Sequence, residues 1–275
     1  MNCAWNELLS VLPHRLRPEV DKLQSDMPQE LRLRLGMNVE VILPGRHKTL
    51  PHQVTLDELN FVINAASRYS PWAGESAREG FLTAPGGHRI GICGEVVTKG
   101  GVLGGFRTVR SLNIRIARDF PGIAKPIADI RGNILLVGPP GSGKTTLLRD
   151  LIRLRSDREL IATVDERSEL FPLGLGGGQR VDILSGCPKT KGIEMLLRTM
   201  GPDTIAVDEI TAAEDCEALV QAGWCGVRIL ATVHGDGQED LFQRKVYKPI
   251  VACGLFETLV ILRRDKSFRT ERMRV

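Results

Sequence analysis

What the sequence lacks narrows it first. The 275 residues include six cysteines, at 3, 93, 187, 216, 225 and 253, and no two stand in C-x-x-C spacing or beside a histidine pair. That excludes a zinc-ribbon pattern and a disulfide framework, and it fits a reducing compartment. Aromatic residues make up only 5% of the chain. Stacking platforms for single-stranded nucleic acid need several close together. No apolar run approaches the ~18 residues of a membrane span. The first residues, MNCAWNELLSVLPHRLRPEV, have no charged segment followed by a long apolar one, so no secretory leader is read. The expectation is a soluble cytoplasmic chain whose membrane association, if any, comes through a partner. Charge of either sign is also not in large excess. Lys plus Arg number 37 against 33 Asp plus Glu, a net charge of +4. Such a balance permits a nucleic-acid or anionic membrane partner without requiring one.

What is present divides into two rhythms. Near the start, Trp5, Leu8, Leu9 and Leu12 stand at helical spacing. ELRLRL then alternates strictly, with Leu31, Leu33 and Leu35 opposite Arg32 and Arg34, and VEVIL follows after a turn at Gly36. Thr55 and Glu58 form a capping-box pattern that predicts a helix to about Tyr69, before Pro71. From 81 to 117, FLTA, HRIGICGEVV, GGFRTV and LNIRIA read as strands with glycine breaks. Residues 1–118 therefore form an expected α+β domain, and 119–132, with two prolines and two glycines, an expected linker. From 133 to 275 strand and helix alternate: NILLV, a helix to about Leu154, ELIATV, GIEMLLRTM, TIAVDEI, AAEDCEALVQAGW and VRILATV. That order predicts an α/β fold with a parallel sheet covered on both faces. The tail around Asp265 and Lys266 reads as a β-hairpin.

Between the first strand and helix of this second part lies GPPGSGKTT: Gly138, Pro139, Pro140, Gly141, Ser142, Gly143, Lys144, Thr145 and Thr146. It matches the Walker A phosphate loop in pattern and context. Glycines let backbone N–H groups turn inward around phosphate oxygens, and the helix N-terminus adds partial positive charge. Lys144 supplies a charge to the β- and γ-phosphates, and Thr145 a hydroxyl to Mg²⁺. TIAVDEI then offers Asp208 for the Mg²⁺ water shell and Glu209 to deprotonate an attacking water. A base for water points to hydrolysis rather than to a simple kinase. Asp165, Glu166 and Glu169 follow the second strand, and His234 follows the fourth; each is a candidate neighbour of the γ-phosphate or an ordinary loop residue. LGGGQR, from Leu175, resembles the signature loop of ABC transport ATPases. It comes only 31 residues after Lys144, too early for that role, and reads as a flexible loop.

Upstream, Arg89, Arg107, Arg110 and Arg115 are solvated strand positions or part of a positive surface that closes over nucleotide, the chain's own or a neighbour's. An arginine supplied in trans can add ~10³ or more to phosphoryl transfer. The basic tail, with Arg263, Arg264, Lys266, Arg269, Arg272 and Arg274, keeps open a nucleic-acid-directed ATPase, although Phe268 is its only aromatic residue.

Taken in order, ELRLRLG, HRIGICGEV, GFRTVRSLNIRIA, GPPGSGKTTLLRDLIR, VDERSEL, LLRTMGPDTIAVDEI and ATVHG resemble the stage III sporulation protein AA family over nearly the whole chain. That family is similar in turn to the ATPases of type II and type IV secretion and of pilus machines. The resemblance implies a RecA-like P-loop ATPase core behind a smaller N-terminal domain, using ATP and Mg²⁺ as a hexameric homo-oligomer. It implies membrane-protein partners at a channel between mother cell and forespore, reached from the mother-cell cytoplasm. TVDERSE stands where the secretion ATPases carry an acidic box. Its first acid is Asp165, shorter than the usual glutamate, so Asp165 and Glu166 both remain candidates. PDTIAVDEI fits their Walker B box, with Asp208 where glycine is common and Glu209 retained, and ILATVHG fits their His box through His234. The downstream half of the motors' helical C-terminal domain is expected to be missing.

Overall fold

The computed structural model describes residues 4–67, 80–99, 102–172 and 176–273. The chain divides into two compact units, Met1–Asp119 with Pro172–Leu175, and Phe120–Phe171 with Gly176–Val275.

The first unit is built on an antiparallel sheet. Strands β1 (Glu30–Arg34), β2 (Asn38–Leu43), β3 (Arg46–Gln53), β4 (Phe81–Thr83), β5 (Arg89–Lys99) and β6 (Val102–Arg115) lie in the order β3-β2-β1-β6-β5-β4. The alternation in ELRLR works as period two dictates. Leu31 and Leu33 are buried with Val39, Val41, Ile90, Leu112 and Ile114, under helices α1 (Trp5–Val11) and α3 (Leu56–Ala66). A short helix α2 spans Arg17–Asp21. The capping box forms: the Glu58 N–H donates to Thr55 Oγ1 at 3.3 Å and the Thr55 N–H to Glu58 Oε2 at 3.0 Å. The predicted end of that helix, Tyr69, lies outside the described residues.

Two strand readings change in this unit. GGFRTV and LNIRIA are one continuous strand, β6, because the glycines are absorbed by irregular pairing with β5 rather than by a turn. A Cβ at Gly94 would sit 2.0 Å from the Thr108 carbonyl oxygen, so a bulge there requires glycine. Strand β3 has no counterpart in the sequence reading. It is an edge strand, mostly exposed and interrupted by Pro51, which gives no apolar alternation to detect.

The second unit is α/β. Strands β7 (Ile134–Gly138), β8 (Ile161–Asp165), β9 (Val181–Ser185), β10 (Thr204–Val207), β11 (Arg228–His234), β12 (Thr258–Leu262) and β13 (Phe268–Arg272) are ordered β13-β12-β7-β11-β10-β8-β9, parallel except for the β12–β13 hairpin. The helices are α4 (Lys144–Arg155), α5 (Lys189–Thr199), α6 (Ala213–Trp224) and the short α7 (Gln238–Gln243) and α8 (Lys248–Ala252). Alternate strand residues serve opposite faces. Ile134 and Leu136 pack against Leu147, Leu148, Leu151 and Ile152 of α4. Leu135 and Val137 pack with Ile193, Leu196, Cys216, Leu219 and Ile250 on the other side. Uniformly apolar strands are what a sheet covered on both faces needs.

The stretch 119–132, read as a linker, is packed from Phe120 onward. Ala124 and Ile127 belong to the α4-side core. Asp150 accepts the N–H groups of Gly122 and Ala124 at 3.0 and 2.8 Å, and buried Arg155 donates to the carbonyls of Ala128 and Ile130. Leu175 of the glycine-rich stretch lies outside the described residues, and Gly176 onward leads into β9. Among the described residues no helix is long and apolar enough to cross a membrane.

Candidate nucleotide site

Gly138, Asp165, Val207 and His234 end four adjacent parallel strands, and Gly138 is paired with His234. The carboxyl ends of such strands are where open α/β sheets bind ligands. The loop after β7 turns through Gly141 and Gly143, at φ of +74° and +96°, and Gly143 caps α4. Both need the left-handed region that glycine enters freely. Gly138 is needed for a different reason: a Cβ there would lie 2.6 Å from Ser142 Oγ and 3.0 Å from the Leu262 carbonyl oxygen. Ser142 is fully buried and its hydroxyl finds no partner. Thr146 is half-buried on the first turn of α4, Pro139 is half-buried and Pro140 is exposed.

Lys144 folds back into the loop. Its ammonium donates to the Gly138 and Pro139 carbonyls at 2.8 and 3.1 Å and to His234 Nδ1 at 3.0 Å. Since Nδ1 accepts, the ring N–H is on Nε2 and donates to Glu209 Oε1 at 2.9 Å. Arg167 donates to the other oxygen, Oε2, at 2.8 Å. Thr145 Oγ1 donates to Asp208 Oδ2 at 2.8 Å, and Thr232 Oγ1 to Asp208 Oδ1 at 2.6 Å. The Glu209 N–H donates to Thr232 Oγ1 at 2.8 Å. Glu209 has φ of +55°, a left-handed setting that costs a non-glycine residue about 1 kcal/mol or more. Thr232 thus braces both acids.

Electrostatics tell the same story from two sides. Desolvation holds the Lys144 pKa below the ordinary lysine value, against the pull of Asp208 and Glu209. Desolvation raises Asp208 above the usual carboxylate range, only partly opposed by the Thr232 and Thr145 hydroxyls, with Asp165 and Glu209 adding repulsion. Burial thus disfavours the charged form of both groups. A polyphosphate would relieve the first and a hard cation the second. The Thr145 hydroxyl and the Asp208 carboxylate are an oxygen donor pair suited to Mg²⁺, which takes few protein ligands and keeps waters or phosphate oxygens for the rest. Among the described residues no group of three or more His, Cys, Asp or Glu could hold a metal by itself.

The remaining candidates are placed differently. Asp165 is buried, and its oxygens accept the N–H groups of Glu169, Leu170 and Phe171 at 2.9, 3.1 and 2.8 Å. Glu166 pairs with Lys189 at the start of α5. The arginines all belong to the first unit. Arg89 lies over the Phe81 ring, Arg107 pairs with Glu95 at 3.1 Å, Arg115 is 3.7 Å from Glu30, and Arg110 is exposed on β6. Sequence reasoning passed over Arg167 and Thr232. A single cation inside an acidic stretch, and a buried threonine in an apolar strand just before His234, were the available signals.

The family model for sporulation stage III, protein AA, matches residues 4–272. The chain belongs to this family. The stage III sporulation protein AA of Bacillus subtilis (strain 168) is 36% identical over 282 residues, covering 95% of this chain and 92% of the relative. Two solved structures share the fold of this family member at low identity. The ATPase DotB of Legionella pneumophila aligns at a TM-score of 0.62 and 17% identity, over 95% of this chain and 80% of DotB. The pilus retraction motor PilT with bound ADP aligns at 0.64 and 13%, over 94% and 82%. The second unit accordingly is a RecA-like P-loop core with a parallel sheet, and the smaller α+β unit precedes it.

Proposed function

We propose that this protein is a Mg²⁺-dependent ATPase that works as a ring-forming motor. The observation that carries the reading is a glycine loop at the strand ends that holds the Lys144 ammonium on its own carbonyls, with the next residue, Thr145, bonded to the buried Asp208 carboxylate. DotB is an ATPase and PilT a motor with bound ADP, which supports the same assignment. Backbone N–H groups of the loop and the N-terminus of α4 would take the phosphates, and Lys144 would exchange its carbonyl partners for their oxygens. Thr145 and Asp208 would hold Mg²⁺, which would supply neutralising charge to the phosphates. Glu209 takes a proton from a water whose oxygen bonds to the γ-phosphorus. The bond from that phosphorus to the bridging oxygen breaks, and ADP leaves with the electron pair beside inorganic phosphate. His234 orients Glu209 through Nε2. Asp165 supports the loop behind the site rather than meeting substrate.

Membership of the sporulation family supports a wider reading: a hexamer at the mother-cell cytoplasmic face, driving assembly or operation of an envelope-spanning channel through membrane-protein partners. Arg269 of the basic tail is paired with Glu271 at 2.8 Å, which weakens the alternative of a nucleic-acid track. Titration calorimetry with ATP and Mg²⁺ tests the core claim, beside phosphate release. Wild type binds and turns over, and Lys144→Ala loses binding by about tenfold or more, the equivalent of ~1.4 kcal/mol. No heat from folded wild type sinks the reading. A large rate increase with single-stranded DNA that collapses with salt favours the nucleic-acid alternative.

A further inference from the structure

We propose that Arg167 is a positioning residue that holds Glu209 in a resting setting until a nucleoside triphosphate is seated. The inference rests on the ATPase reading above and adds a residue and a control step to it.

The loop carrying Arg167 is built to fix that side chain. Asp165, at the end of β8, gathers the N–H groups of Glu169, Leu170 and Phe171. Ser168 takes φ of +52° and its N–H returns to the Asp165 carbonyl at 3.1 Å. From α4, buried Arg149 donates to the carbonyls of Glu169 and Leu170. Glu166, just before Arg167, is tied to Lys189. Arg167 is therefore an outward-facing residue between anchored neighbours, with its guanidinium on Glu209 Oε2.

Its partner is engaged on both oxygens. His234 Nε2 occupies Oε1, and His234 is itself held by Lys144. With one oxygen taken by a guanidinium and the other by an imidazole N–H, neither carboxylate oxygen is free to accept from an attacking water. When Lys144 is taken by phosphates, His234 loses its donor at Nδ1. The γ-phosphate then offers Arg167 a more highly charged acceptor than a carboxylate. In the ATP-bound state Arg167 is shared between Glu209 and the third phosphate, and the share drawn off by the phosphate leaves Glu209 free. The Arg167 side chain is 61% exposed, and an ion pair that open to solvent is weak. Weakness suits a contact that must open in every cycle.

Two measurements test this. In nucleotide-free protein, unfolding midpoints of wild type, Arg167→Ala, Glu209→Ala and the double variant should be non-additive, because the pair exists before any ligand arrives. At low protein concentration, Arg167→Ala should raise kcat by about two- to tenfold, a weak ion pair converted to rate, and should raise KM for ATP, because the γ-phosphate loses a guanidinium donor. Arg167→Lys should bring kcat back toward wild type, and adding Glu209→Gln to Arg167→Ala should abolish the gain. A kcat that stays level or falls in Arg167→Ala overturns the proposal, as does additivity in the nucleotide-free set. A wild type that never hydrolyses ATP fails the ATPase reading instead, while the unfolding measurement still decides whether the pair forms.

Discussion

Asp208 and Glu209 are neighbours in sequence, yet the positive φ of Glu209 turns them to different partners. Asp208 meets the hydroxyls of Thr145 and Thr232, and Glu209 meets His234 and Arg167. If Glu209 is the base, Glu209→Gln keeps the shape and the Arg167 contact but cannot take a proton. Nucleotide affinity should then hold while kcat falls by about 10²- to 10⁴-fold, the usual worth of a general base. Calorimetry beside phosphate release separates the two. Asp165 makes the instructive contrast. With three backbone donors on its carboxylate, Asp165→Asn should cost about 1–3 kcal/mol of stability, the penalty of a buried N–H left unpaired. Denaturant unfolding reads it. A variant of unchanged stability and collapsed kcat would instead make Asp165 a direct participant. The contiguous residues from Gly138 to Thr145 were legible because backbone geometry dictates them locally. The roles around Glu209 were not, because Arg167, Thr232 and His234 meet it only through sheet order.

Elements were readable to the extent that burial imposed a period. ILLV, IATV and TIAV are buried on both faces, and the sequence says so without ambiguity. β9 was missed because its edge position leaves a mixed polar pattern. The packing of 119–132 was missed because its anchors, Asp150 and Arg155, lie on the far side of a helix that looks merely amphipathic. One further anchor was invisible for the same reason. His88 is fully buried, with Nε2 donating to the Ala4 carbonyl at 2.9 Å and Nδ1 accepting the Ala117 N–H at 3.1 Å. It ties the start of α1 and the end of β6 to the turn before β5. Burial holds its pKa below the ordinary histidine value of 6.5. The unfolded chain therefore takes the proton first as pH falls. The stability contributed by neutral His88 is complete above about pH 6.5 and is lost as pH drops through that value toward the folded pKa. The unfolding midpoint should decline from pH 7.5 to 5.5 more steeply in wild type than in His88→Gln. Parallel curves for the two proteins would remove His88 from the acid response.

At the scale of the whole molecule, the nucleotide residues all belong to the second unit and the candidate arginines all to the first. That division makes assembly the question. Arg107 is held by Glu95, and Arg89 lies on Phe81, so within the β5–β6 pair Arg110 and Arg115 are the better placed to serve another acceptor. Arg115 is only 3.7 Å from Glu30, but its side chain is 67% exposed. If such an arginine stabilises the phosphoryl-transfer charge across a subunit boundary, specific activity must climb with protein concentration. Arg115→Ala and Glu209→Gln should each turn over slowly when alone. Mixed rings contain boundaries where an intact Arg115, carried by the Glu209→Gln copy, faces an intact Glu209 carried by the other. Mixing the two inactive proteins should therefore restore turnover at those boundaries, with Arg110→Ala run in the same way to decide between the two arginines. An arginine acting within its own chain gives no recovery in any mixture, because every copy then lacks either its cation or its base. Phosphate release measured across mixing ratios distinguishes the cases: recovery peaking at intermediate ratios requires a shared site, and a straight line between two inactive end points rules it out.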